Sequence, residues 1–373
     1  MKVLFVSDCV SGATGKSRVG GSNLRVLVKI VGRENVDAFL VSSCESDLQT
    51  DLGGRVFRYL CSSSKLALFI EGLVFRRHFR CTKEVQCEFL KYIDSHHYDV
   101  VFFDDSYFGG LVYLAKKKYP KAKLITFFHN FRYDLSVNWL YRNPLRFFPF
   151  FFATRYQEKL SAIWSTNLVS LTSEDACAIT RRYRRKVDAV IPVCVTEVAF
   201  LGKGWRAFNG NLKIGFVGAS YHPNVRAARW FVESVMPELQ GCDFFVVGNG
   251  MEQHERYINR SHNKNVSVQG YVDDLTSWYA GVDLVVAPIF EGGGMKVKIA
   301  EAMAHGKAVL ASPDAAKGYA LRLGGVCTSA DDFKRTICAL KAAGGADELI
   351  AYREYVDNHS VESCAKRMLS VLP

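Results

Sequence analysis

The sequence predicts an α/β protein built from two doubly wound parallel sheets. Three observations carry that expectation. Short apolar runs recur along the 373 residues without the strict alternation of a half-exposed sheet, so they read as strands buried on both faces. Stretches with helical periodicity, such as Val225 to Met236 and Lys296 to His305, fall between most of these runs. Glycine or a polar residue closes many of the runs, and doubly wound sheets bind their ligands at those strand ends.

In chain order the first half offers "VLFVSD", "VDAFLVSS", "DVVFFDD", "KLITFFHN", "NLVSLTS" and "AVIPV" as strands. The second half offers "LKIGFVG", "DFFVVG", "VSVQGYV", "DLVVAPI" and "AVLAS". The alternation breaks at "VTEVAFLGKGWRAFNGN", where glycine and polar residues interrupt it. A first domain over 1–195, a linker over 196–211 and a second domain over 212–355 follow, with a last helical segment, 356–373, expected to cross back to the first domain.

Composition narrows the class. With 49% hydrophobic and 23% charged residues the chain is ordinary globular protein. "MKVLFVSDCV" has too short an apolar run for a signal peptide, and an Asp interrupts it. "FFPFFFA" falls far short of the about 20 residues of a membrane span. A cytoplasmic protein is expected. The 11 cysteines form no CxxC pair, and Cys9, Cys44, Cys194 and Cys242 sit in apolar runs, so buried reduced thiols are expected. Cys81 and Cys87 with His78 lack zinc-ligand spacing, and no metal site is expected.

The net charge of +11 lies almost wholly in residues 1–200, which hold 29 Lys and Arg against 19 Asp and Glu. A solvated surface or an anionic membrane surface would each account for it. Nucleic acid is not favoured, because no recognised motif accompanies the charge. "LYRNPLRFFPFFFATRYQEKL" mixes aromatics with arginine and reads either as core packing plus a helix or as a surface resting on anionic lipid. "RRYRRK" at 181–186 carries the same two readings.

Two glycine-rich stretches bear on chemistry. "SGATGKSRVGG" imitates a phosphate-binding P-loop, but Val10 stands where the first glycine is required. It reads instead as a glycine turn, with Gly20 and Gly21 just before a helix over Ser22 to Val31. The amides at that helix start would face an anion, or Ser22 would simply cap the helix. "PIFEGGGMKVKIAEAMAHGKAVLAS" says more. A buried strand ends in Gly292, Gly293 and Gly294, and a helix is expected from about Met295. Three glycines let backbone approach a ligand closely, and the helix start offers free N–H groups at its positive dipole end. Lys298 and Glu301, three apart, share one face, and Lys296 in the first turn opposes the dipole unless a bound diphosphate supplies negative charge. Gly218 ends the first strand of the second half, and His129 ends "TFFHN" as either a site residue or a satisfied core histidine. Asp104 and Asp105 in "FFDDS" are expected to end a strand and cap the next helix.

Taken in order, "FFHN", "LTSEDACAITRRY" followed by "VIPVCV", "FVGASYHPNVRAARWFVESVMPEL", "VVGNG", "VQGYVDDLTSWYAGVDLVVAPI" and "EGGGMKVKIAE" resemble family-4-type retaining glycosyltransferases of the GT-B fold. The resemblance covers nearly the whole chain. It implies two Rossmann-like domains facing across a cleft. It also implies transfer of a sugar from a nucleotide sugar, such as a UDP- or GDP-sugar, to a glycan or lipid-linked acceptor. Bacterial surface polysaccharide assembly (capsule, lipopolysaccharide or exopolysaccharide) would be the setting, at the inner face of the cytoplasmic membrane.

By the same resemblance, Glu301 would hold the ribose hydroxyls. Lys296, Lys298 and the backbone of Gly292, Gly293, Gly294 and Met295 would hold the diphosphate and sugar. Tyr271 and Val272 would flank the base, and Gly20 and Gly21 would close over the diphosphate. His129 would contact the donor sugar near the bond that breaks, which makes His129, Lys298 and Glu291 the candidate catalytic residues. No metal or further cofactor is implied, since cations and N–H dipoles can stabilise the charge developing on a leaving diphosphate.

The sequence departs from the family in three places. The first position of the usual Glu-x7-Glu pair is Gly293, with Glu291 two residues earlier. The basic residue expected after the first strand of the second domain has Arg226 as its nearest candidate, and "IPVCVT" replaces "PNGVD" at the hinge. A sugar-nucleotide epimerase on the same fold and a non-catalytic partner subunit are the alternatives.

Overall fold

Seven parallel strands form the first sheet. β1 (Val3–Ser7), β2 (Val36–Ser42), β3 (Val56–Leu60), β4 (Val100–Phe103), β5 (Lys123–Phe128), β6 (Asn167–Ser170) and β7 (Ala189–Val190) run in the order β3-β2-β1-β4-β5-β6-β7. The computed structural model describes residues 1–11, 15–42, 49–50, 54–60, 64–196, 198, 200, 202 and 204–373. Cys44, the start of the glycine-rich stretch at 12–14 and parts of the linker lie outside these. The chain divides into two units, Met1–Val193 with Cys364–Pro373, and Cys194–Ser363. β1, β2 and β4 are buried at every position, as the lack of alternation in their sequences requires. Strand order reverses between β1 and β4, and the carboxyl ends at such a switch point form a ligand crevice.

Helices α1 (Gly15–Val31), α2 (Lys65–Leu73), α3 (Lys83–Asp94), α4 (Gly109–Lys118), α5 (Arg132–Arg142), α6 (Pro144–Trp164) and α7 (Ser173–Tyr183) connect these strands. α1 corrects the sequence reading: the helix begins at Gly15, not at Ser22, so Gly20 and Gly21 lie inside it rather than in a turn before it. A Cβ on Gly20 would stand 2.2 Å from the Cys9 carbonyl oxygen and 2.8 Å from Asp104 Oδ2, and one on Gly21 2.6 Å from the Val10 carbonyl oxygen. These glycines are there because the helix lies directly on the β1 loop, with no room for a side chain. No described helix is long and apolar enough to cross a membrane.

The second unit opens with β8 (Trp205–Ala207), inside the expected linker, which pairs antiparallel with β15 (Gly345–Asp347). Its main sheet has β9 (Leu212–Val217), β10 (Cys242–Val247), β11 (Val266–Val268), β12 (Leu284–Ala287), β13 (Ala308–Ala311) and β14 (Gly324–Val326). All are parallel in the order β11-β10-β9-β12-β13-β14, with the switch point between β9 and β12.

The helices of this part are α8 (His222–Ser234), α9 (Glu255–Ile258), α10 (Leu275–Gly281), α11 (Val297–Ala304), α12 (Ala330–Ala343) and α13 (Glu348–Asn358), and α14 (Val361–Met368) runs from the second unit into the segment that belongs to the first. α8 starts three residues before the expected Val225, with Pro223 in its first turn. α11 starts at Val297, so Lys296 is its N-cap residue rather than a member of its first turn. Among the described cysteines Cys9, Cys81, Cys194, Cys242, Cys327 and Cys364 are buried, including the three described ones that sit in the apolar runs, whereas Cys87, Cys177 and Cys338 are exposed.

Candidate functional site

The switch point of the first sheet gathers polar side chains that apolar strands deliver to their carboxyl ends. Asp104, directly after β4, is buried and accepts hydrogen bonds from Ser7 Oγ at the end of β1 (2.9 Å) and from Asn23 Nδ2 on α1 (2.7 Å). His129, directly after β5 and 4% exposed, places its Nε2 3.0 Å from Asp104 Oδ1. An aspartate acceptor favours the proton on Nε2 and fixes the ring's orientation. Asp104 is therefore no helix cap, which corrects the sequence reading. Asp105 fits it better, since it accepts from the Ser106 amide at 2.7 Å in a short 3₁₀ turn, and it also binds Arg132.

Behind this edge lies a buried ionic layer. Arg132 donates through Nε to Asp105 Oδ1 (2.7 Å) and through Nη2 to Oδ2, and its guanidinium lies 4.7 Å from the centre of the Tyr107 ring. Glu158 on α6 accepts from the Arg132 amide (2.8 Å) and from Tyr183 Oη (2.8 Å). Burial pushes the Glu158 carboxyl up to about 7, against the opposing hydrogen bonds from Tyr183 and the Arg132 amide. A carboxyl raised in the folded state contributes stability below its unfolded value that is lost as pH rises through about 7. The first unit is expected to lose on the order of 3 kcal/mol over that interval. Thermal melts of wild type and Glu158→Gln across the range test this. A wild-type slope no steeper than that of the variant would refute it. In the second unit, burial pulls His305 down to about 4, and this works with the opposite sign, removing stability as pH falls from 6.5 through 4. The variant therefore isolates the Glu158 contribution.

The switch point of the second sheet is barer. Lys298, in the first turn of α11, donates from Nζ to Asn224 Oδ1 on α8 at 2.9 Å and lies 4.4 Å from the centre of the Phe216 ring. Its ammonium thus stands at the carboxyl end of β9. Gly218 makes this possible: a Cβ there would be 2.7 Å from Lys298 Nζ. Gly248, just after β10, has φ 149°, and a Cβ on it would stand 2.0 Å from the Gly218 carbonyl oxygen. Gly248 in turn donates its amide to the Gly270 carbonyl at 3.0 Å, which ties in the strand end preceding Tyr271 and Val272. Tyr271 is 68% exposed and Val272 half-buried.

The glycine loop after β12 turns through positive φ at Gly292 (105°) and Gly294 (66°). Lys296 folds back beneath it, donating from Nζ to the carbonyls of Gly292 (3.3 Å), Gly293 (3.0 Å) and Gly294 (3.2 Å). Burial lowers its ammonium to about 8. The neighbouring Met295 is buried. Glu301 lies one turn beyond Lys298 on α11 and is half-buried. Glu291 is held toward α8, 3.2 Å from Arg226 Nη1 and 3.6 Å from His222 Nδ1.

The structure thus brings Lys298 and Gly218 together, and Lys296 with the three glycines it closes. Sequence reasoning singled out neither Asn224 nor the set of Ser7, Asn23, Arg132 and Glu158. The "FFDD" run at a strand end next to the strand carrying His129 was the available signal. Among the described residues no group of three or more His, Cys, Asp or Glu side chains is arranged to hold a metal ion.

Two parallel doubly wound sheets, each with polar groups at its switch point, are the architecture of the GT-B fold. Residues 211–341 match the family model "Glycosyl transferases group 1", and the whole chain shares the fold of GT-B glycosyltransferases. The lipopolysaccharide outer core galactosyltransferase WaaB aligns with a TM-score of 0.68 at 14% identity, over 100% of this chain and 99% of its own. WaaG, a glycosyltransferase involved in lipopolysaccharide biosynthesis, aligns with a TM-score of 0.68 at 15% identity, over 99% of both chains. HepE from Anabaena, in complex with UDP and glucose, aligns with a TM-score of 0.66 at 12% identity, over 100% of this chain and 99% of its own. At such identities the likeness is one of fold. A search of curated proteins by sequence returned no match.

Proposed function

We propose that this glycosyltransferase moves a sugar from a nucleoside diphosphate sugar to a glycan or lipid-linked acceptor, with retention at the anomeric carbon and without a metal. Bacterial surface polysaccharide assembly at the cytoplasmic face of the membrane would be its setting. One observation carries the reading: the Lys298 ammonium stands at the switch point of the second sheet, beside bare glycine backbone and at the start of α11. A cation, unobstructed backbone and a helix N-terminus together suit a leaving diphosphate. Glu301, one turn along the same helix, supplies the acceptor atoms that two vicinal ribose hydroxyls need. The bound UDP of HepE supports a uridine donor as the first to try.

A thermal-shift panel of UDP- and GDP-sugars tests the donor. At least one is expected to raise the melting temperature, and failure of every donor would count against the reading. Glu301→Ala is expected to weaken donor binding more than tenfold, since it removes hydrogen bonds to a charged acceptor worth about 1.5–3 kcal/mol. Isothermal titration with the stabilising donor measures this, and unchanged affinity would remove Glu301 from the site. The anomeric configuration of the product, read by proton NMR, decides retention.

A further inference from the structure

An exposed helix normally turns its apolar face inward. α2 does not. Leu66 (69% exposed), Phe69, Ile70 and Leu73 all reach solvent, as do Val74 (62% exposed) and Phe75 just beyond the helix. The apolar surface continues onto α6, where Leu145 (89% exposed), Phe148 and Phe152 lie on one face at helical spacing. The two segments are in contact. A Cβ on Gly72 of α2 would be 3.1 Å from Pro149 Cβ, Gln157 Nε2 donates to the Arg76 carbonyl at 2.9 Å, and the Arg76 guanidinium lies 5.7 Å from the centre of the Tyr156 ring. Scattered exposed apolar residues need no explanation, but a contiguous patch of this kind marks an interaction surface.

We infer that the first unit docks on an anionic phospholipid bilayer through the face made by α2, the turn after it and the first half of α6. Charge selects this occupant. In sequence the patch segments carry Arg76, Arg77, Arg80, Arg142, Arg146 and Arg155 against the single acid Glu71; Arg77 is paired to Glu71 at 3.1 Å and Arg80 to Asp8 at 3.4 Å. Apolar and aromatic side chains on segments rich in arginine suit the boundary between headgroups and acyl chains, where cations are also drawn to anionic lipid. A second copy of this chain fits poorly, because a two-fold contact would set this arginine-rich face against itself. The docking is interfacial, as no described helix could span the bilayer. This inference stands apart from the glycosyl-transfer reading, and donor binding measured without vesicles keeps the two distinguishable.

The experiment is co-sedimentation of the full chain with vesicles of phosphatidylcholine alone and of phosphatidylcholine with about 30 mol% phosphatidylglycerol. Wild type is expected to pellet with the anionic vesicles at least tenfold more strongly than with neutral ones, and to be released by about 0.5 M NaCl. Phe69→Ser combined with Leu73→Ser is expected to lower that partition at least tenfold while leaving the donor-induced thermal shift intact. Hydrogen exchange on wild type with and without anionic vesicles guards against a variant that fails to fold, with protection expected over residues 66–75 and 145–152. Equal partition to both vesicle types, protection elsewhere than on these segments, or a wild-type dimer that the double variant dissociates would overturn the proposal.

Discussion

Lys298→Met is expected to lower kcat/KM by about 10²–10³-fold, the cost of losing one preorganised group that stabilises developing negative charge. Methionine keeps the length and apolar stem of lysine but loses the ammonium, and with it the contact of Nζ with the Phe216 ring. The larger share of the loss belongs in kcat, because negative charge on the diphosphate oxygens grows as the sugar departs. Lys298→Arg is expected to recover only part of the rate. A planar guanidinium does not fit the space between Asn224 Oδ1 and the Gly218 backbone that an ammonium fills. Lys296→Met supplies the contrast. Its ammonium already serves three loop carbonyls, so its removal is expected to loosen Gly292–Gly294 and raise KM more than it lowers kcat. Steady-state kinetics with the donor found by thermal shift decide the matter. Near-normal turnover in Lys298→Met would remove the assignment.

The two lysines mark how far the sequence could be followed. Three glycines and a helix start were enough to raise the expectation of a diphosphate beside Lys296 and Lys298. Which of them presents its charge was not legible. Lys296 is the N-cap of α11 and Lys298 lies in its first turn, so the outcome turned on the helix beginning at Val297. The strands were legible because parallel sheets buried on both faces leave continuous apolar runs. Gly20 and Gly21 misled for a definable reason. Glycine serves a turn and a close helix contact equally well, and only the 2.2 Å at which a Cβ on Gly20 would stand from the Cys9 carbonyl oxygen tells them apart. The Asp104 cluster escaped because it depends on strand order. Ser7 and Asp104 are 97 residues apart in sequence and meet only because β1 and β4 are neighbours.

Arg132→Met is expected to destabilise the first unit by about 3–5 kcal/mol, the cost of leaving a buried charge uncompensated. Asp105 is fully buried, and both of its oxygens accept from the Arg132 guanidinium. Burial alone would favour loss of the Arg132 proton, yet Asp105 more than offsets it and holds the guanidinium above its ordinary range. The pair therefore behaves as a unit, each half costly without the other. The melting transition of the first unit is expected to fall by roughly 10 °C, given about 2–4 °C per kcal/mol for a domain of this size. Adding Asp105→Asn to Arg132→Met removes the orphaned charge, so the double variant is expected to be more stable than Arg132→Met alone. The same comparison separates structure from chemistry. If Arg132 acts only by holding the Asp105 layer behind His129, the double variant regains stability and activity together. Stability regained without activity would instead make Arg132 a group the reaction itself requires.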